Sequence, residues 1–381
     1  MTTDPIYDNI RPYTEAEAKE ARLRLASGRL AASAAATLYP EQEQGWLQKR
    51  ILMSEDTASF QEKVVAPMVE RVVEMSSEGL TFSGEEYFNS SDVEGGKGNY
   101  LLLSTHRDIV LDPAMIDVVM CKCGMPCVDI AAGDNLLANA EIEDAMRTNR
   151  MVKVVRSSDP REVYTTSRIL SQYIRERIGE GGSVWLAHRQ GRTKDGNDRT
   201  EQGLVKMLDM SGEGGFIENF AQLKIMPVAI SYEYESCGPL KALELYTKEQ
   251  EGGYHKKPGE DVNSMVQGFM QNKGRIHIAF GKPLTKEEIG QAAAEKGNGR
   301  YRCLAQILDR RLFELYRLWP TNYIAADMLS GNDKYLKQNC YTDSDKDKYI
   351  AYLEESTKDM PEAVKQKLLE LYAAHLINPI A

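Results

Sequence analysis

The sequence predicts an α/β fold, a mostly parallel β-sheet flanked by helices, with further helices at both ends of the chain. Short apolar runs alternate with helical segments between residues 99 and 283, which is the pattern of strands joined by helical crossovers. Apolar residues recur at helical spacing in 12–78 and again after residue 285. We therefore divide the 381 residues into an N-terminal helical region (1–95), a central α/β domain (96–290) and a C-terminal helical region (291–381).

Composition and charge narrow the class of protein. The net charge of −10 argues against a general nucleic-acid-binding protein. No apolar run approaches the roughly 20 residues of a membrane-spanning helix, and residues 1–11 lack the apolar core of a signal peptide. Six cysteines do not make a disulfide framework in a chain of this length. We expect a cytoplasmic protein and leave peripheral contact with the inner membrane open.

Local sequence patterns predict the individual helices, strands and loops. Thr14 and Glu17 have the spacing of a capping box at the start of the first helix. A stretch rich in Gly, Ser and Asn at 84–98 predicts a loop at the first boundary. The predicted strands lie at 100–103, 127–131, 152–155, 183–187, 225–231 and 276–280. The predicted helices between them lie at 113–120, 136–148, 161–178 and 200–210.

The first candidate motif follows the first strand of the central domain. His106 lies just beyond that strand, at the edge where open α/β sheets bind their ligands. Imidazole is suited to removing a proton near neutral pH, and a carboxylate such as Asp108 or Asp112 would orient it. Asp112 and Pro113 are typical of an N-cap followed by proline at the first helical position. The structural alternative is a polar loop histidine beside a capped helix.

Two further motifs place basic residues after strands. Residues 185–196 run from an apolar strand into a loop with Arg189, Arg192 and Lys194, and such donors bind phosphate oxygens. Arg156 follows another strand, in which Lys153 lies. Segment 147–206 holds 13 Lys or Arg against 7 Asp or Glu, a local charge of +6, which favours an anion site. A solvated helix face at 161–178 and an exposed turn at 195–196 are the alternatives.

The remaining signals are weaker. A strand containing Pro227 is typical of a buried sheet strand. Cys121, Cys123 and Cys127 cluster without the second pair that a structural zinc site needs, so buried thiols are the favoured interpretation. Nucleotide-binding glycine motifs and a nucleophile elbow are not found in the sequence.

Four motifs taken in order resemble the glycerophospholipid acyltransferase superfamily, over about residues 97–285. They are the His106 motif, the strand before Arg156, the basic loop at 185–196 and the strand that contains Pro227. The motif 105–112 is similar to bacterial acyltransferases of the Bacteroidetes type, although five rather than four residues separate His106 from Asp112. Gln190 stands where many relatives carry an acidic residue or glycine. The resemblance implies a glycerol-3-phosphate acyltransferase-like sheet. It also implies transfer of a fatty acyl group from acyl-CoA or acyl carrier protein to glycerol 3-phosphate or lysophosphatidate.

The resemblance also implies residue roles. His106 would be the general base, oriented by Asp112 or Asp108, and Pro227 would mark the acceptor-site strand. No metal or other cofactor is expected, because a thioester is already activated. The residues expected to bind the acceptor phosphate are Arg107, Lys153, Arg156, Gly191, Arg192 and Lys194.

Three alternatives stay open. In the first, the protein is an acyltransferase whose acceptor is an amino-acid lipid, a sugar or another hydroxyl compound. The chain is a non-catalytic acyl-donor- or lipid-binding protein in the second. A metal-dependent hydrolase using His106, Asp108, Asp112 and His188 is the third.

Overall fold

The computed structural model describes residues 4–88, 99–137, 139–255 and 259–379. Its centre is one seven-stranded sheet in the order β1-β7-β6-β2-β5-β3-β4. Strands β2 to β6 run parallel to one another, β7 is antiparallel to β6, and β1 is parallel to β7. The strands are β1 (Gly79–Ser83), β2 (Leu101–Ser104), β3 (Asp129–Gly133), β4 (Met151–Val154), β5 (Val184–Ala187), β6 (Ile225–Tyr232) and β7 (Arg275–Phe280).

The predicted α/β class and mostly parallel sheet are confirmed, and six strands lie within two residues of their predicted positions. Strand β1 was not predicted. Its sequence, Gly-Leu-Thr-Phe-Ser, is half exposed and pairs only with β7, almost two hundred residues later in the chain. Such an exposed edge strand carries a weak sequence pattern, because burial does not require apolar residues at alternate positions.

Helices cover both faces of the sheet. Successive residues of β2 face opposite sides, so Leu101 and Leu103 pack in one apolar cluster and Leu102 in the other. The helices between strands are α6 (Leu111–Lys122), α7 (Ala140–Thr148), α8 (Pro160–Gly179), α9 (Gln202–Asp209), α10 (Phe216–Ala221), α11 (Gly238–Glu251) and α12 (Glu260–Met270). Part of the predicted helix 136–148 is a short 3₁₀ turn, Asp134–Leu136, ahead of α7.

Helices also form the N-terminal part of the chain. Thr14 caps α1 through a bond from the Glu17 amide, and the Glu17 carboxylate accepts the Thr14 amide, which confirms the capping box. A π-helical turn, Gln61–Val65, joins two of these helices. They are α1 (Glu15–Ser27), α2 (Arg29–Leu38), α3 (Trp46–Leu52), α4 (Thr57–Phe60) and α5 (Ala66–Ser76). The predicted loop at 84–98 is described only to residue 88, where a 3₁₀ turn lies, and the rest lies outside the described residues.

The C-terminal part is helical as well. Leu304, Ile307 and Leu308 of α14 pack in the same apolar cluster as the sheet strands, whereas the last helices form a Tyr-rich cluster with α11. The helices are α13 (Lys286–Ala293), α14 (Gly299–Leu315), α15 (Pro320–Ser330), α16 (Lys334–Lys337), α17 (Asp343–Thr357) and α18 (Glu362–Ile377). Among the described residues, no helix is both long and apolar enough to cross a bilayer. The three-domain division stays a prediction.

Candidate active site

A histidine and an aspartate meet at the carboxyl end of β2. The Nδ1 atom of His106 lies 3.3 Å from Oδ2 of Asp112, and the Asp112 side chain is fully buried. The same oxygen accepts the backbone N–H of Asp108 at 2.8 Å, and Oδ1 accepts the Tyr232 hydroxyl at 2.7 Å. Burial, with the Asp112 and Asp108 charges, raises the pKa of Tyr232 well above its ordinary value, so its hydroxyl stays a donor.

These contacts orient the imidazole. A carboxylate held by three donors besides His106, including the Arg107 amide, has little freedom to turn. Donation from Nδ1 of His106 leaves Nε2 as the basic nitrogen. The His106 side chain is 13% exposed and borders an open cleft, with its ring edge against Trp185. His106 therefore combines a basic Nε2 with a position in the wall of the cleft.

Asp108 has a different task. Its Oδ1 accepts the amides of Val110 and Leu111, and its Oδ2 accepts the Ser236 hydroxyl. These bonds secure the start of α6, which begins at Leu111. The prediction that Asp112 is the N-cap is therefore wrong, because its carboxylate turns back to the 106–108 loop and Asp108 takes over the capping. Of the two candidate partners of His106, the structure brings Asp112 to it.

The cleft has a volume of about 440 Å³ and lies where β2, β3, β4 and β5 end. Parallel strands bring these four ends to one edge, so loops distant in sequence form a common wall. Side chains lining it include His106, Trp185, Arg156, Arg189, Arg192 and Lys194. We call it the arginine cleft.

Three arginines supply positive charge to the cleft, whose wall also carries Glu201 and Asp261. Within the described part of the chain, no carboxylate forms an ion pair with Arg156, Arg189 or Arg192. The Nε atom of Arg189 and the Nη1 atom of Arg192 are buried without a hydrogen-bond partner. Buried donors of charged groups are normally bonded, and leaving one unbonded costs about 1–3 kcal/mol. An anion that accepts from these guanidinium groups would remove that cost.

Other predicted phosphate ligands have mixed outcomes. Gly191 lines the cleft, and its φ of +73° is readily adopted only by glycine among common residues. Lys194 also lines it, although its ammonium is paired with Glu244 of α11. Lys153 does not line the cleft. It lies on the outermost strand β4, where its amide donates to the Ile10 carbonyl at 2.8 Å.

Arg107 was predicted to contact phosphate, but it does not line the cleft and has other partners. Its guanidinium is buried away from the cleft, paired with Asp198 and with Glu235, and it stacks on the Tyr316 ring at 5.1 Å. Because two carboxylates already pair with its guanidinium, Arg107 is not available to bind an anion. Pro227 is likewise buried in the middle of β6 and does not line the cleft, although the strand that contains it is present as predicted.

His188 belongs to the buried layer below the cleft. Its Nδ1 lies 2.8 Å from the Ser104 carbonyl and its Nε2 lies 3.9 Å from Asp198. Burial lowers the pKa of His188 to about 4, so the ring is neutral and donates from Nδ1 to Ser104. This bond ties the end of β5 to the end of β2.

The metal-hydrolase alternative does not agree with this geometry. In the described residues, the four side chains that it requires do not form a group of potential metal ligands. His188 faces a backbone carbonyl, and Asp108 caps a helix.

The C-terminal helix supports the basic loop. Gly196 has a φ of +74°, and a Cβ there would lie 2.3 Å from the Leu371 carbonyl of α18. His375 of the same helix stacks on Phe313 at 4.1 Å, and Asn378 donates to Asn197 at 3.1 Å. The contacts of this helix hold the loop that supplies Arg189 and Arg192 to the cleft.

An apolar groove continues from the cleft between α8 and α9. It has a volume of about 560 Å³ and shares Val163, Ser167 and Met207 with the cleft wall. Tyr164 and Met210 extend it further along the surface. The site therefore combines a cationic end near His106 with an apolar extension.

Arg189 lines the cleft although it was not among the expected phosphate ligands, and only its place in the basic loop was noted from the sequence. The signal was its position two residues after β5, at the same sheet edge as His106 and Arg156. Family models and curated proteins give no match to this chain. The resemblance to acyltransferases therefore stays a prediction.

Proposed function

We propose that the protein is an O-acyltransferase that moves a fatty acyl group from a thioester donor to the hydroxyl of a phosphate-bearing glycerol acceptor. The observation that carries the proposal is that one cleft holds a carboxylate-oriented histidine together with three arginines that form no ion pair within the described residues. A general base and an anion site at the same sheet edge suit an acceptor that carries both a hydroxyl and a phosphate.

The proposed reaction needs one proton shuttle. Nε2 of His106 takes the proton of the acceptor hydroxyl as its oxygen attacks the thioester carbonyl carbon. The tetrahedral intermediate collapses, the C–S bond breaks, and the leaving sulfur receives the proton from His106. The products are an ester and a free thiol, and the histidine returns to its neutral form. Asp112 stabilises the imidazolium between the two steps.

The arginines support the choice of acceptor. Arg189 and Arg192 present buried, unbonded nitrogens, and an oxyanion is the chemical group that satisfies guanidinium donors best. The alternative acceptors named from the sequence, a neutral sugar among them, would leave these donors unbonded unless they carry an anionic group. This favours a phosphorylated acceptor over a neutral one.

The apolar groove supports the choice of donor. A fatty acyl chain needs an apolar surface, and the wall formed by Val163, Met207 and Met210 supplies one beside the cationic end. Acyl-CoA and acyl carrier protein are both compatible with this chemistry. The non-catalytic alternative shares the same groove and differs only in turnover, so an assay of turnover separates it.

The test is thiol release from palmitoyl-CoA and from an acyl-carrier-protein thioester. Each donor is supplied with glycerol 3-phosphate, with lysophosphatidate, with glycerol or with no acceptor. We expect release that depends on a phosphate-bearing acceptor and that falls about 10²–10⁴-fold in His106→Ala, the usual contribution of a general base.

One control variant and two contrary outcomes make the result interpretable. His277→Ala changes a histidine on β7 that bonds Thr81 and Ser83 and does not line the cleft, and this variant should keep its activity. Acceptor-dependent release that survives in His106→Ala would refute the role of His106. Donor binding without release for any pair would favour the non-catalytic protein.

A further inference from the structure

Two thiols and a carboxylate converge at the end of α6, outside the arginine cleft. Asp117 and Cys121 are four residues apart, which places them on one face of the helix. The chain then turns at Gly124, with a φ of +77°, and brings Cys127 back to that face. Potential ligand atoms of the three side chains all lie within 4.8 Å of one another. We call this group the dithiol site.

We propose that the dithiol site binds a thiophilic divalent cation of the zinc class through Asp117, Cys121 and Cys127. Zinc binds thiolate sulfur at about 2.3 Å and carboxylate oxygen at about 2.0–2.2 Å. The two sulfurs are 2.8 Å apart, and Cys121 Sγ lies 3.9 Å from Asp117 Oδ1. A tetrahedral ion would require the sulfurs to separate by about 1 Å, a change within the reach of side-chain rotation.

The carboxylate is held ready for this task. Oδ1 of Asp117 accepts the Val128 amide at 2.7 Å, which fixes the loop that carries Cys127. Among the described residues, Oδ2 receives only a long bond of 3.4 Å from the side-chain amide of Gln61. Asp117 is 4% exposed, and no basic side chain of the described residues forms an ion pair with it. A buried carboxylate without a cationic partner is uncommon and is stabilised by a cation.

The surroundings give an ion access. The three residues line an open cavity of about 670 Å³, whose wall also carries Glu15, Asp56 and Glu62. Three protein ligands leave a fourth position of a tetrahedral ion for water from this cavity. Binding releases one proton from each thiol, so the net charge of the site is unchanged. Arg150, in the same wall, remains bonded to Asp129.

This site is independent of the proposed acyltransferase chemistry. None of the residues that line its cavity lines the arginine cleft. Asp117 follows Asp112 on the same helix, so a bound ion would stabilise the helix that orients His106 without touching the reacting groups. From the sequence, buried thiols were favoured because no second ligand pair follows the three cysteines, and Asp117 was not considered as a ligand.

The test is titration of the reduced, chelator-treated protein with Co²⁺ and with Zn²⁺, in a non-thiol reductant. We expect one ion per chain, a thiolate-to-cobalt charge-transfer absorption that Zn²⁺ displaces, and a higher unfolding temperature with Zn²⁺. Cys127→Ser should lose the charge-transfer band or reduce it with a more than tenfold loss of affinity. Asp117→Asn should keep the band and bind at least tenfold more weakly.

Cys123→Ser is the matched control, because Cys123 lies between the two thiols in sequence and is outside the ligand group. It should bind as the wild type does. Absence of binding by the folded, reduced wild type would overturn the proposal. Equal binding by wild type and Cys127→Ser would also overturn it. A Cys121–Cys127 disulfide in the air-exposed protein, without metal binding by the reduced protein, would replace it with a redox pair.

Discussion

Arginines at the two ends of the parallel strands have opposite surroundings. At the amino end, Arg150 and Arg177 both bond Asp129, which is fully buried at the start of β3. The Tyr173 hydroxyl adds a further bond to the same carboxylate at 2.6 Å. At the carboxyl end, Arg189 and Arg192 line the arginine cleft without a carboxylate partner among the described residues.

The comparison separates arginines whose charge is neutralised within the fold from arginines whose charge is available to a ligand. A buried cation that is neutralised within the chain contributes to the fold and has nothing left to offer a ligand. A partly buried cation left without a counter-charge reduces stability until a ligand binds. Arg107 illustrates this contrast. It is the neighbour of His106 in the motif, but Asp198 and Glu235 neutralise its charge within the fold. We therefore expect partner carboxylates, rather than motif membership, to separate arginines that stabilise the fold from arginines that bind a ligand.

The largest effect we expect at the carboxyl end is on turnover. His106→Gln removes the base and should lower kcat for acyl transfer by about 10²–10⁴-fold, with little change in the KM for the acceptor. The unfolding temperature should change little, because His106 borders the cleft and forms one hydrogen bond with Asp112. Steady-state kinetics and a thermal melt measure both. A KM that rises with an unchanged kcat would make His106 a binding residue instead.

At the amino end the largest effect should fall on stability. Asp129→Asn leaves Arg150 and Arg177 without their counter-charge and should destabilise the protein by about 3 kcal/mol. Activity per folded molecule should be close to that of the wild type. Denaturant unfolding gives the first quantity and kinetics at low temperature the second. A loss of turnover in the folded variant, without loss of stability, would break the proposed division between the two ends.

The cleft arginines should show the reverse pattern. Arg189→Gln and Arg192→Gln should each raise the KM for a phosphate-bearing acceptor by about 10–100-fold, the equivalent of losing a charge-assisted hydrogen bond. Neither should lower stability, because each removes a buried, unbonded donor. Arg168→Gln is the control, since Arg168 is exposed on α8 and outside the cleft wall. Equal KM values in all three variants would contradict the anion site.

A smaller effect concerns pH and the buried layer below the cleft. Burial holds the pKa of His188 near 4, against 6.5 in the unfolded chain, so the unfolded state binds more protons between these values. Stability should therefore fall as pH decreases through that range, by at most about 1.4 kcal/mol per pH unit. His188→Asn, which keeps a donor for Ser104, should reduce this dependence. Equal pH profiles in denaturant unfolding would show that His188 is not responsible.

Much of the fold could be predicted from sequence because its signals are local. Six strands and the helices between them are visible as short apolar runs and periodic segments, whereas β1 forms by pairing with a strand almost two hundred residues later. The His106–Asp112 pair was also predictable, because both residues belong to one loop and the first turn of α6. Arg156 and Arg192 could be predicted at the sheet edge because each follows a strand closely in sequence, and both line the cleft there.

The rest depends on contacts between distant parts of the chain. Arg107 is directed to the core by Asp198 and Glu235, which lie 91 and 128 residues away in sequence. Lys194 is paired with Glu244, and the loop that holds it rests on α18. No spacing rule indicates which carboxylate will reach which arginine. Sequence therefore identified the basic loop but could not separate its ligand-facing members from its structural ones.

The central claim is that unpaired arginines bind the acceptor while His106 performs the chemistry. Calorimetric titration of glycerol 3-phosphate into His106→Gln, and into the same variant with Arg192→Gln added, tests it most directly. Our account predicts that His106→Gln binds the acceptor as tightly as the wild type does. It predicts binding about 10–100-fold weaker once Arg192 is replaced. Binding that is lost with His106 alone, or unaffected by Arg192, would contradict the account.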